Sequence, residues 1–137
     1  MTNVKDIWIV NPVGITLFHA SVEEKSQDLI GSLFSSIQVI VSQMGENKMK
    51  ALSLGSSKIL CYQGQDDYLF ILRYEKDEKT KKILKKMNII EELFFDEYKH
   101  ILKEWDGRTD YFNGFVMKIQ NIFKDTPFIS NQPSSSK

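Results

Sequence analysis

The chain has little of what most enzymes and secreted proteins rely on. Among its 137 residues there is one cysteine, Cys61, and there are two histidines, His19 and His100. A single thiol cannot close an internal disulfide, and no Cys/His spacing suited to a metal ion appears. A reducing, intracellular compartment is expected. Excess charge is also missing: Lys+Arg and Asp+Glu each total 18, so the formal net charge is zero. Proteins that track nucleic-acid phosphates usually carry a basic excess, which this balance disfavours. No apolar run approaches the roughly 20 residues of a transmembrane helix. The opening MTNVKDIWIV reads as a strand rather than a secretory signal, and no C-terminal lipidation box is seen. The chain is expected to be soluble and cytoplasmic, peripheral to membranes only through partners.

What remains is ordinary globular composition, 42% hydrophobic and 26% charged. That length supports one domain with a core and not two. The domain is expected over residues 1–123. A tail over 124–137, with Pro127, Pro133 and three consecutive serines, is expected to be disordered.

Residues 4–10 and 15–20 are rich in β-branched and aromatic side chains and flank Asn11-Pro12-Val13-Gly14, a turn sequence, so they predict a hairpin. Ser21-Val22-Glu23-Glu24 then matches a capping box for a helix from about Val22 to Met44, with Gly45 beyond its end. Leu29, Ile30, Leu33, Phe34, Ile37, Ile40, Val41 and Met44 fall within about 140° at 100° per residue, which predicts one core stripe. Strands follow at 48–54, 58–62 and 68–74. The last two are almost continuously apolar, so the sheet must be covered on both faces. Asp77 is the expected cap of a long helix to about Glu104, packed through Ile83, Met87, Ile90, Phe94, Tyr98, Ile101 and Trp105. Its other side is charged. After Asp106-Gly107, Asp110 is expected to cap a short helix carrying Phe112, Phe115, Val116, Ile119 and Phe123.

The least ordinary stretch is Leu29 to Gly45, which contains no charged side chain. The outer side of that helix presents Gly31, Ser32, Ser35, Gln38, Val39 and Ser42. Solvated helix faces usually fill with Lys and Glu, so a small, neutral face points to a packed partner. Two blander readings compete. Such residues cost only a few tenths to about 1 kcal/mol of helix propensity, and the C-terminal tail could cover the face.

Chemistry finds little support. Neither histidine stands beside a nucleophile in a strained, glycine-bounded turn. Cys61 reads as a small buried hydrophobe. Gly55-Ser56-Ser57-Lys58 has the wrong length and order for a phosphate loop. Asp66-Asp67 and Glu91-Glu92 are sequence neighbours whose side chains diverge. The run Lys79, Lys81, Lys82, Lys85 and Lys86 is flanked by Glu78, Glu91 and Glu92 and reads as a solvated face. No catalytic, cofactor-binding or metal-binding residue is assigned, and no enzymatic activity is expected.

IWIVNPVGITLF, the helix after it, the meander KALSLGSSKILCYQGQDDYLFIL and the closing EELFFDEYKHILKEWDGRTDYFNGF together resemble a longin-type domain from Asp6 to Phe115. This is the profilin-like fold related to roadblock domains, and archaeal longin-like proteins found beside small GTPases read similarly. The resemblance implies an α+β, α/β/α sandwich of order β-β-α-β-β-β-α-α. Its five-stranded antiparallel sheet would carry one helix on one face and two on the other. It also implies a non-catalytic module that forms homo- or heterodimers with a longin- or roadblock-type chain and binds or regulates small GTPases or vesicle-trafficking complexes. Family dimers commonly use the first helix and the third strand. The partner-binding residues it implies here are Gly31, Ser35, Gln38, Val39, Ser42, Ala51 and Ser53. Lys48 and Lys50 could instead guard that strand against pairing. A PAS- or GAF-like sensor is the alternative, with an apolar ligand cavity near Cys61.

Overall fold

The register of the strands decides which side chains face which helix. The computed structural model describes residues 4–22, 27–124 and 128–130. Strands β1 (Val4–Val10) and β2 (Thr16–Ser21) form the hairpin, and α1 (Gln27–Met44) follows. Next come β3 (Met49–Leu54), β4 (Ser57–Gln63) and β5 (Leu69–Glu75). Then α2 (Thr80–Lys103), a 3₁₀ segment over Asp110–Phe115 leading into α3 (Val116–Ile122), and a two-residue β6 (Ile129–Ser130) complete the order. The strands form one antiparallel sheet in the order β3-β4-β5-β1-β2-β6. The hairpin joins the meander through β1 and β5, where Trp8 stands opposite Ile71 and Ile9 opposite Phe70.

Strand side chains alternate between faces. Ile7, Ile9, Phe18, Leu60, Phe70, Leu72 and Tyr74 face α2 and α3, where they meet Ile83, Met87, Ile90, Phe94, Phe112, Phe115 and Ile119. Phe94 is the hub, its ring 5.2 to 6.2 Å from those of Phe70, Tyr98, Phe112 and Phe115. The opposite face carries Trp8, Val10, Leu52, Ile59, Cys61, Leu69 and Ile71 against Leu33, Ile37, Ile40 and Met44 of α1. Both faces are covered, by one helix and by two, as expected for this α+β architecture.

Several local expectations need correction. Phe34 and Val41 are exposed rather than in the core. The helix lies over β3 and β4, so only the narrow stripe Leu33, Ile37, Ile40, Met44 meets the sheet. The side chains of Leu29 and Ile30 lie outside the described residues. Ser21, the expected cap, is the fully buried last residue of β2, opposite Asp6. The capping-box glutamates, Glu23 and Glu24, fall outside the described residues. Asp77 lies ahead of α2, whose cap is Lys79 without a side-chain hydrogen bond. Asp110 opens the 3₁₀ segment, with Thr109 at the cap position and no side-chain cap bond. There it pairs with Arg108 at 2.6 Å.

Residues 128–130, beyond Phe123 where the domain was expected to end, also pack on it. Phe128 is buried, and its N–H donates to Gln120 Oε1 at 2.9 Å. Ile129 and Ser130 then pair with Ser21 and Ala20, adding a sixth strand to the expected five. One ring and two strand residues are too short a signal for periodicity to register.

Candidate interaction surface

Five of the eight large hydrophobic side chains exposed among the described residues lie on α1 or at the β1–β2 tip, with Val39 about 140° around the helix from Phe34. Phe34, Val39 and Val41 on α1 are 49%, 46% and 38% exposed, and Val13 and Ile15 at the β1–β2 tip are 79% and 44% exposed. Scattered apolar side chains on a surface need no explanation, whereas a cluster does.

The hairpin tip is held rigidly. Asn11 Oδ1 accepts the backbone N–H groups of Val13 and Ile15 at 3.2 and 2.8 Å. The Asn11 N–H donates to the Ile15 carbonyl at 2.9 Å, and Gly14 takes a φ of +95° that few other residues tolerate. Two apolar side chains are therefore presented on a fixed turn.

Between that tip and α1 runs a groove of about 310 Å³. Trp8, Val10 and Leu69 form its floor, Gly14 and Thr16 one wall, and Phe34, Ile37, Gln38, Val41 and Ser42 the other. None of these residues is ionisable. The floor is flanked by a buried polar cluster on the same sheet face. Arg73 Nε donates to Asp6 Oδ2 at 2.6 Å, His19 Nε2 lies 3.2 Å from Asp6 Oδ1, and the Trp8 indole stacks on the His19 ring at 4.6 Å. His19 is buried beside Trp8, its cross-strand neighbour.

The expected partner-binding residues divide. Gly31, Ser35, Gln38, Val39 and Ser42 share the exposed outer side of α1, and Gln38 and Ser42 also line the groove. Ala51 and Ser53 are exposed on edge strand β3, yet they face the other side of the sheet, since Ala51 stands opposite Leu60 of the α2-side core. The serines of α1 are less polar in effect than in name. Ser36 Oγ donates to the Ser32 carbonyl at 3.0 Å and Ser42 Oγ to the Val39 carbonyl at 2.8 Å. Hydroxyls satisfied within their own helix cost less to cover. Sequence reasoning missed Phe34, Val41, Val13 and Ile15. The first two were absorbed into the core stripe, and the only signal for Val13 was a β-branched residue placed inside a turn.

Cys61 is packed inside the α1-side core, lines neither the groove nor its rim, and burial pushes its thiol up to about 12. It stays protonated near neutral pH and is a poor nucleophile. Among the described residues, no group of three His, Cys, Asp or Glu side chains is placed to hold a metal ion, and no helix is long and apolar enough to cross a membrane.

No protein-family model matches the sequence, and no curated protein matches it. A solved structure does. A chain of "The Structure of the Mammalian SRP Receptor" is similar at a TM-score of 0.55 and 16% identity, over 91% of this chain and 98% of that one. At that identity the likeness is one of fold. This chain has a longin-like α/β/α fold.

Proposed function

We propose that the chain is a non-catalytic protein-interaction module, docking partners through α1 and the β1–β2 tip. The observation that carries this is the presence of exposed apolar side chains on an uncharged helix and a rigid turn. Interfaces are depleted of charge at their centres and favour apolar anchors within a polar rim. The longin resemblance supports two kinds of partner: a second longin- or roadblock-type chain, and a small GTPase that the assembly binds or regulates, in a trafficking-type setting of the archaeal kind. Edge strand β3 supplies free backbone groups beside α1 and extends the same contact.

Light scattering over a concentration series tests self-association. A dimer is expected that returns to monomer in Val39→Asp and Ser35→Arg, with circular dichroism unchanged. A wild-type chain that stays monomeric at high concentration removes the homodimer. For a purified small GTPase, binding that differs between its GDP and GTP-analogue forms and weakens in the same variants is expected. Binding indifferent to both removes the regulatory role.

A further inference from the structure

A second groove, of about 490 Å³, opens on the other side of the sheet, between the last turns of α2 and the loop entering β5. Its floor is a pair of perpendicular rings, Tyr68 and Phe95, with centroids 5.1 Å apart. Lys99, His100 and Lys103 form the helix lip, the two lysines one turn apart. These three side chains and the Tyr68 hydroxyl make no hydrogen bond or ion pair among the described residues. Cations gather near helix C-termini to offset the helix dipole. That accounts for the two lysines and not for an aromatic floor with a wall opposite.

The wall is built against α2. The Gln65 N–H donates to Glu91 Oε2 at 2.6 Å, and Gln63 Nε2 donates to Asp67 Oδ1 at 2.7 Å. Asp66 and Asp67 hold left-handed backbone angles, φ +54° and +65°, which cost energy outside glycine. At Gly64 a Cβ would meet the Glu91 carboxylate, which would have to move from its place beside the loop. The groove is thus bounded by two elements tied together, with two lysines and His100 on one lip and Asp66 on the other.

That asymmetry selects a ligand with an anionic end and a neutral or donor end. Lysines act as compact point charges suited to phosphate, whereas planar carboxylate recognition favours arginine. The rings suit a flat body. The volume falls in the small-molecule range, on the order of 300–1,000 Å³. We propose that this groove binds a small molecule with a phosphate at one end and an aromatic or heteroaromatic body.

Amide NMR titrations of the full chain with phenyl phosphate, inorganic phosphate and phenol test it. Phenyl phosphate is expected to give saturable shifts confined to residues 65–68 and 95–103, with inorganic phosphate and phenol each weaker by roughly tenfold or more. Lys99→Glu combined with Lys103→Glu should weaken phenyl phosphate by roughly tenfold with the rest of the spectrum intact. Asp66→Asn, which keeps a residue tolerant of left-handed angles, should tighten it. Equal shifts from inorganic phosphate, an unchanged affinity in the double variant, or shifts spread over Lys81–Lys86 would each overturn the proposal. The groove and the α1 surface lie on opposite faces of the sheet, so failure here leaves the protein-docking reading untouched, and the reverse holds too.

Discussion

Beneath α2 the sheet meets rings, and beneath α1 it meets mostly aliphatic side chains and one indole. The α2 side is closed by a helix of 24 residues, a 3₁₀ segment, α3 and the buried Phe128, so its aromatic side chains find partners within the chain. The α1 side has a single helix of 18 residues set over β3 and β4, which leaves a groove beside the hairpin. The outer surfaces differ in the opposite sense. The outward side of α2 is charged, with Lys81, Lys82, Lys85, Glu92 and Asp96 exposed, while that of α1 is neutral. The lesson is that a face finished by its own chain can dress its back for water. A face left unfinished keeps a back that suits another molecule.

That contrast can be broken in graded steps. Phe94→Ala should cost the most, about 3–5 kcal/mol, because it removes the hub of the aromatic cluster; chemical denaturation should show it as an earlier midpoint. Leu33→Ala, in the thinner α1-side core, should cost about 2–3 kcal/mol, since an incompletely covered site collapses more readily around a cavity. A loss equal to that of Phe94→Ala would mean the two faces are packed alike.

Alkaline pH gives a third, smaller effect. Burial raises the Cys61 thiol from 9.0 to about 12, and burial followed by Glu97 raises the Tyr98 hydroxyl from 10.0 to about 12. Both groups hold their protons longer folded than unfolded. Stability from them is fully present below the unfolded values and falls between about pH 9 and pH 12 as the unfolded state sheds protons first. Denaturation midpoints measured across that window should decline, and Cys61→Ala should flatten the decline at its lower end. At pH 8 a thiol reagent should label Cys61 only as the chain unfolds.

The smallest effect on stability is the most informative about function. Phe34→Asp and Val39→Asp should change unfolding free energy by no more than about 0.5 kcal/mol, as exposed substitutions do. They should still weaken any association through α1. Marked destabilisation by Val39→Asp would mean that the helix back is covered within the chain.

The sequence by itself determined the elements and their faces. Two apolar strands around Asn11-Pro12-Val13-Gly14, two nearly continuous apolar strands later in the chain, and the spacing from Ile83 to Tyr98 are local signals of backbone geometry and burial. They sufficed for the architecture and for two covered sheet faces. The neutral back of α1 was legible for the same reason, because the absence of charge needs no partner to be seen. Tertiary structure alone decided what lies opposite what. Periodicity places Phe34 and Val41 on the apolar half of α1 but does not state how far the sheet extends beneath it. Only the offset of α1 over β3 and β4 turned them outward. The turning of Ala51 and Ser53 away from α1 depends on strand register, and the addition of β6 beside β2 depends on a free sheet edge. The meeting of the α2 terminus with the Gly64–Tyr68 loop depends on contacts between residues more than twenty positions apart, which no local pattern encodes.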